Sequence, residues 1–304
     1  MKLKNLIECG GNIGETEITG ITCDSRQIKP GYAFVCIKGT KSDGHDYAEA
    51  AVKSGAAAII CERDLKLDCQ VITDNTHAAY ADMCAAWFGN PADSLRLFGV
   101  TGTNGKTSVT YMLKKIFEKA GYKVGLIGTI QNMIGDEVIA AHNTTPNAYE
   151  LNSLFALMKA KGCAVVIMEV SSHALDQLRV YRLDFEVAMF TNLTQDHLDY
   201  HITMENYLEA KKKLFKMCRT AVINSDDSYA QKLTEGLDCK TVTYSTGNDS
   251  TYSAKAINYR PASVEYEFVS DTDICHIKVA TGGKFTVYNS LCAAVCAVEA
   301  GISI

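Results

Sequence analysis

The stretch Val100-Thr101-Gly102-Thr103-Asn104-Gly105-Lys106-Thr107-Ser108 decides the fold. Before it, Leu95 to Val100 is an apolar run that reads as a strand. After it, Val109, Met112, Leu113, Ile116 and Phe117 recur at helical spacing, and Gly121 marks the stop. Strand, glycine turn, Lys-Thr and helix make the layout of a phosphate-binding loop. Glycines let backbone N–H groups approach phosphate oxygens, and the helix N-terminus adds partial positive charge. Lys106 is placed to reach the outer phosphates and the Thr107 hydroxyl to ligate Mg²⁺. The general pattern puts a glycine five residues before Gly105, where this chain has Val100, so the loop is a shortened variant. The competing reading is a tight strand–helix turn with a surface lysine. It does not account for the fitting context on both sides.

Working outward, the residues from 94 onward alternate strands and helices. Val124 to Ile127 reads as a strand and Ala148 to Ala160 as a helix stopped by Gly162. Ala164 to Val170 reads as a central parallel strand, and Val187 to Phe190 and Ala221 to Ile223 as further strands. Such alternation predicts an α/β fold with a doubly wound, mostly parallel sheet, with ligands at the carboxyl ends of its strands. The Thr-, Tyr- and Val-rich span from Thr241 to Lys278 reads as an antiparallel extension, and Ser290 to Ala300 as a helix. Residues 1–93 form a smaller α/β unit, with strands at Ala33 to Ile37 and Ala56 to Ile60 and a helix at Tyr47 to Ser54. Asn90-Pro91-Ala92-Asp93 is the turn-rich boundary before the second unit, residues 94–304.

Composition narrows the function classes. The 304 residues are 47% hydrophobic and 21% charged, with a net charge of −5 and no long basic stretch. Nucleic-acid binding and membrane insertion are therefore not expected. The N-terminus lacks the apolar run of a signal peptide, so a cytoplasmic protein is expected. Twelve cysteines are scattered without a Cys-x-x-Cys pair, and several sit in apolar runs. They read as buried thiols rather than as a zinc site or a disulfide framework.

Three further segments could carry chemistry. Met168-Glu169-Val170-Ser171-Ser172-His173 ends a buried strand in a carboxylate, a natural Mg²⁺ ligand beside a phosphate loop or else a helix-capping group. Thr191-Asn192-Leu193-Thr194-Gln195-Asp196-His197-Leu198-Asp199-Tyr200-His201 follows another strand and is dense in polar groups. It suits a metal or phosphate site, or an exposed polar loop. Tyr207 to Phe215, with Lys211, Lys212 and Lys213, reads by composition as a helix with a solvated lysine face.

Together these segments resemble the Mur ligases. The resemblance rests on residues 101–107, Asn143-Thr144-Thr145-Pro146, residues 168–173, residues 191–201 and Ala210-Lys211-Lys212-Lys213-Leu214-Phe215, in that order. In the first unit it rests on Asp24-Ser25-Arg26, Pro30-Gly31, Phe34-Val35 and Asp43-Gly44-His45-Asp46. It covers essentially the whole chain, and the branch it favours is the one that adds the third amino acid of the peptidoglycan stem.

The resemblance implies a UDP-MurNAc-binding N-terminal domain and a central ATP-binding domain. It implies ATP on Gly102, Thr103, Asn104, Gly105, Lys106, Thr107 and Ser108, with Asn289 near adenine. It implies two Mg²⁺ sites, one on Thr107 and Glu169, the other on Glu169, His197 and a CO₂-derived carbamate on Lys211. UDP-sugar contacts are implied for Cys23, Ser25, Thr40, Lys41 and Ser42, and muramoyl-peptide contacts for Asn143, Thr144, Thr145, Ser171, Gln177 and Arg179. The implied reaction joins meso-diaminopimelate or L-lysine to UDP-MurNAc-L-Ala-D-Glu through an acyl phosphate, in a monomer. Family members carry a third, C-terminal domain with the amino-acid pocket. This sequence stops where that domain is expected, so a fragment with little activity alone is expected. Two alternatives stay open: another ligase of the superfamily, including the MurF step, and a non-catalytic module that binds muramoyl nucleotides.

Overall fold

The computed structural model describes residues 1–40 and 42–303, and the chain divides into two units. The first gathers Met1–Asp93 with Pro146–Leu157 and Gln177–Arg182; the second holds the rest. The first unit is therefore not one continuous stretch of sequence. It takes in two segments from the span read as the second unit.

In the first unit, β1 (Gly20–Thr22), β2 (Tyr32–Val35), β3 (Ala58–Cys61) and β4 (Gln70–Ile72) form a parallel sheet in that order. Helix α1 (Ala48–Lys53) precedes β3, and α2 (Thr76–Trp87) follows β4. Side chains alternate across the sheet with period two. Ala33, Val35, Ala58 and Ile60 face a core with Leu3, Tyr80 and Met83, while Phe34, Ile59 and Cys61 face another with Ala48 and Ala51. The helix expected over 47–54 is shorter. Asp43 accepts a 3.0 Å bond from the His45 amide and opens a 3₁₀ turn, Gly44–Tyr47, before α1 begins. Helix α2 was not read from the sequence, although Asn75 caps it by accepting from the Ala78 amide at 2.9 Å.

The second unit is built on an eleven-stranded sheet. Its elements in chain order are β5 (Arg96–Thr101), α3 (Lys106–Lys119), β6 (Val124–Ile127), β7 (Asn132–Ile134), β8 (Glu137–Ile139), α4 (Ala148–Ala160) and β9 (Val165–Glu169). Then come α5 (Ser172–Asp176), β10 (Phe185–Phe190), α6 (Leu198–His201), α7 (Met204–Phe215), β11 (Cys218–Asn224), α8 (Ala230–Thr234) and β12 (Lys240–Ser245). Last are β13 (Tyr252–Arg260), β14 (Ser263–Val269), β15 (Ile274–Val279) and α9 (Lys284–Glu299). Helix α4 begins in the segment that clusters with the first unit.

The sheet order is β15-β14-β13-β12-β11-β10-β5-β9-β6-β7-β8. The seven strands from β13 to β6 are mutually parallel, as the α/β reading expects. The interior positions of the five from β11 to β6 are almost entirely buried, so these strands read as mainly apolar runs. Helices α3 and α9 pack on one face through Val109, Leu113, Phe117, Val287, Leu291 and Val295.

Three expectations change. First, the span from Thr241 to Lys278 is not wholly antiparallel. Strand β12 pairs parallel to β11, with Thr220 opposite Lys240, and β13 pairs parallel to β12; only the β13–β14 and β14–β15 pairings are antiparallel. The short α8 returns the chain to the same end of the sheet, which is what a parallel pairing needs. Second, α9 begins at Lys284, not Ser290. The β-branched Thr286 and Val287 weaken the local helix signal, yet both are buried and the Thr286 hydroxyl bonds back to the Gly282 carbonyl at 2.9 Å. Third, β7 and β8 form a hairpin that the sequence reading missed, although Gly135-Asp136 between two apolar runs is a hairpin signal.

Candidate active site

The phosphate loop leaves β5, which lies between β10 and β9 near the middle of the sheet. Two glycines are required by space as well as by backbone. Gly102 has φ +147°, and a Cβ there would lie 2.0 Å from Thr191 Oγ1; Gly105 has φ +89°, and its Cβ would meet Asn289 Oδ1 at 2.4 Å. Only glycine admits both contacts. The loop is held from β10's end: the Thr103 amide donates to the Asn192 carbonyl at 2.9 Å, the Asn104 amide to Asn192 Oδ1 at 2.9 Å, and Thr191 Oγ1 to the Asn104 carbonyl at 2.6 Å. Lys106 folds along the loop, its Nζ donating to the Gly102 and Thr103 carbonyls at 2.8 Å each. Burial lowers its pKa, while Glu169 and Asp196 act in the opposite sense.

Glu169 ends β9 and is 1% exposed. Its Oε1 accepts from Thr107 Oγ1 at 2.9 Å and from the Thr129 amide at 3.0 Å, and its Oε2 from Thr129 Oγ1 at 2.9 Å. A buried carboxylate is tolerated because these donors satisfy it. Thr129 Oγ1 also lies 3.0 Å from Thr144 Oγ1, whose hydroxyl can donate to it, and Thr145 Oγ1 donates to the Glu169 carbonyl at 2.9 Å and lies 3.4 Å from Ser171 Oγ. Thus Thr144, Thr145 and Ser171, three of the predicted substrate residues, join one hydrogen-bonded group with Thr129 and Glu169. Asn143 is exposed.

Lys211 overturns the reading of a solvated lysine face. It is 1% exposed, and its Nζ lies 4.3 Å from the centre of the Tyr207 ring. Burial, reinforced by the Lys106 charge, pushes its pKa well below the ordinary lysine value; Asp196 acts the other way. Its neighbours in sequence behave as expected: Lys213 pairs with Asp176 at 2.8 Å and Lys212 reaches the Lys232 carbonyl. An aromatic group surrounds this end of the site. His197 and His173 rings are 5.0 Å apart, His201 stacks on Tyr207 at 5.0 Å, and His201 Nε2 lies 2.9 Å from Ser172 Oγ. His197 is exposed and has φ +52°.

Among the described residues, no three His, Cys, Asp or Glu side chains gather closely enough to share an ion. Thr107 and Glu169 are in direct contact, and their hard oxygens suit Mg²⁺. His197 and Lys211 both lie against the Tyr207 ring.

Beside the loop opens a cavity of about 620 Å³. Asn104, Gly105 and Ser108 line it with Asn289, so the predicted loop residues and the predicted adenine contact share one space. The sequence reading missed Asp226, Asp227, Phe285 and Tyr288, which also line it. The signal for the acids was present, since Asn224-Ser225-Asp226-Asp227 follows a buried strand. Burial disfavours the Asp226 carboxylate, but the Thr246 and Asn248 amides and the Tyr288 and Thr246 hydroxyls outweigh it and hold its pKa below the usual range. Phe285 is 76% exposed at the start of α9.

The first unit holds the other predicted contacts. Ser25 opens a short turn in which Asp24 accepts from the Arg26 amide at 3.0 Å. Cys23 is half-buried, and burial raises its thiol pKa. Gln177 Oε1 accepts from Arg179 Nε at 3.0 Å and from its terminal nitrogen at 2.6 Å, which fixes the guanidinium. Thr40 and Ser42 are exposed on the loop closed by the Gly39 amide and the Ser42 carbonyl. Lys41 lies outside the described residues.

A glycine loop between a central parallel strand and a helix, joined to a buried carboxylate on the neighbouring strand, defines a P-loop-type nucleotide-binding fold. Residues 100–297 match the Mur ligase middle domain, and residues 17–90 match the Mur ligase family, catalytic domain. The chain belongs to the Mur ligase family. It is similar to the UDP-N-acetylmuramoyl-L-alanyl-D-glutamate–2,6-diaminopimelate ligase of Caldanaerobacter subterraneus subsp. tengcongensis, with 45% identity over 94% of this chain and 60% of that protein. The ligase of the same description from Bacillus licheniformis is 43% identical over 99% of this chain and 63% of its own length. A solved structure of such a ligase superposes with a TM-score of 0.89 at 29% identity, covering 100% of this chain and 64% of that one. The chain thus spans about three fifths of the length of these relatives. No helix among the described residues is long and apolar enough to cross a membrane.

Proposed function

We propose that this chain supplies the nucleotide-binding and muramoyl-dipeptide-binding parts of an ATP-dependent ligase that adds the third stem amino acid to UDP-MurNAc-L-Ala-D-Glu. The observation that carries this reading is the Thr107–Glu169 contact of 2.9 Å at the phosphate loop. ATP would lie with its phosphates on residues 102–108 and its base in the cavity lined by Asn289, Tyr288 and Phe285. Thr107 and Glu169 would hold one Mg²⁺, and Glu169 with His197 and a carbamylated Lys211 a second. Mg²⁺ supplies charge neutralisation on the phosphates.

Lys106 would offset charge on the transferring phosphoryl group as it passes to the D-glutamyl carboxylate. The amine of diaminopimelate or lysine would then attack the acyl phosphate and expel phosphate. The buried position of Lys211 favours the neutral amine, the form able to add CO₂ as a carbamate. Cys23, Ser25, Thr40, Lys41 and Ser42 would contact the UDP-sugar. Asn143, Thr144, Thr145, Ser171, Gln177 and Arg179 would hold the muramoyl peptide, with Arg179 suited to a carboxylate or phosphate. The protein is proposed to be a cytoplasmic monomer, in which residues 1–93 form the UDP-MurNAc-binding domain and residues 94–304 the ATP-binding domain, working with a C-terminal ligase domain outside this sequence.

Calorimetry with UDP-MurNAc-L-Ala-D-Glu, against UDP-MurNAc-L-Ala, tests the reading. Preference for the dipeptide form supports it. Preference for the shorter form assigns the preceding ligation step, and binding of neither by folded protein refutes it.

A further inference from the structure

Far along the sequence from the loop, two half-buried thiols meet. Cys218 opens β11, and Cys239 directly precedes β12, the parallel neighbour in which Lys240 lies opposite Thr220. Their sulfurs are 3.8 Å apart. Both thiols lie within reach of one acceptor, the Phe215 carbonyl that ends α7, at 3.6 and 3.5 Å. All twelve cysteines are free, and this is the one sulfur–sulfur contact found among the described residues. The pair borders a cavity of about 600 Å³, separate from the nucleotide cavity, also lined by Lys216, Asp238, Arg219, which pairs with Asp184, and Lys240, which pairs with Glu299.

We propose that Cys218 and Cys239 are a modification site that closes to a reversible intrachain disulfide with a peroxide as oxidant. Adjacent parallel strands already hold the two sulfurs in contact, and a bond of about 2.05 Å needs only side-chain rotation and a small approach. The open cavity, lined by both cysteines, admits a small oxidant. Burial first, then the neighbouring Cys239 sulfur, push the Cys218 thiol up, so Cys218 stays protonated and acts second. The Cys239 thiolate attacks the peroxide: the O–O bond breaks, an S–O bond forms, and hydroxide leaves. The Cys218 sulfur then attacks the Cys239 sulfenic acid. The S–O bond breaks, the S–S bond forms, and the Cys218 proton leaves with the oxygen as water. Two thiols are oxidised by two electrons in total, and one peroxide is reduced to two waters.

The test uses the full chain, reduced, exposed to graded hydrogen peroxide, alkylated and digested for mass spectrometry. The expected result is a Cys218–Cys239 linked peptide pair, two hydrogens lighter than the separate peptides, that reverts with dithiothreitol. It should form while the other half-buried cysteines, Cys9, Cys23, Cys69 and Cys275, are still mostly alkylated. Cys218→Ser should leave a sulfenic acid on Cys239 that dimedone traps, and Cys239→Ser should leave Cys218 alkylated. Separate sulfinic acids on the two residues, or alkylation of both at peroxide levels that oxidise the other four, would overturn the proposal. Linkage of either residue to a different cysteine would overturn it as well.

Discussion

Replacing Glu169 separates its structural role from its proposed metal role. The carboxylate accepts from Thr107 Oγ1, the Thr129 amide and Thr129 Oγ1, all within 3.0 Å. In Glu169→Gln, the amide oxygen can keep the Thr107 and Thr129 amide bonds. The new NH₂ faces Thr129 Oγ1, which can turn to accept. Only the charge assistance is lost, about 1 kcal/mol. In Glu169→Ala the two hydroxyls can find other partners, as Thr129 already reaches Thr144 at 3.0 Å, but the Thr129 amide cannot turn. One buried unsatisfied N–H and a small void cost about 2–4 kcal/mol, after allowing for the relief of removing a buried charge. Urea denaturation measures both values. Calorimetry of ADP with Mg²⁺ and with EDTA then measures the metal-dependent gain in affinity. Glu169→Gln should lose about tenfold or more of that gain, roughly 1.4 kcal/mol, while remaining folded. A glutamine variant as unstable as the alanine variant would refute the hydrogen-bond argument. A glutamine variant with the full metal-dependent gain would refute the metal assignment.

Gly102→Ala forces a Cβ to 2.0 Å from Thr191 Oγ1 at φ +147°, so denaturant titration should show a loss of about 2–5 kcal/mol; a loss under 1 kcal/mol would mean that the loop relaxes freely. Phe285→Ala removes a ring that is 76% exposed, so stability should stay within about 0.5 kcal/mol while ADP affinity falls; unchanged affinity would remove Phe285 from the base site. Lys211 gives a pH signature. Its folded pKa lies below the unfolded value of 10.5, so between the two the unfolded chain binds more protons and stability rises with pH. Lys211→Met should flatten that rise in CO₂-free buffer, and an unchanged slope would show that Lys211 is not the group responsible.

How much of this was legible in the sequence depends on how local each signal is. The phosphate loop, β5 and α3 follow from glycine placement and apolar spacing within about twenty residues, and they lie where those signals put them. Helix α4 was legible to its ends, and the buried strands β9, β10 and β11 showed as apolar runs. The start of α9 was not, because Thr286 and Val287 disfavour helix locally and only burial against the sheet compensates. The role of Thr129 was also hidden, since one threonine after a strand carries no signal until Glu169 is folded beside it.

Lys211 marks the division most plainly. In sequence it is one of three consecutive lysines, and composition assigns all three to solvent. The helical turn separates them: Lys212 and Lys213 reach polar partners at the surface, while Lys211 points under Tyr207. The sequence by itself determined the layered α/β order and the loop, because those depend on residue spacing along one element. The tertiary structure decided which lysine is buried, which donors satisfy Glu169 and which thiols meet. Those properties depend on atoms brought together from segments tens of residues apart, where desolvation and contact, not local propensity, set the chemistry.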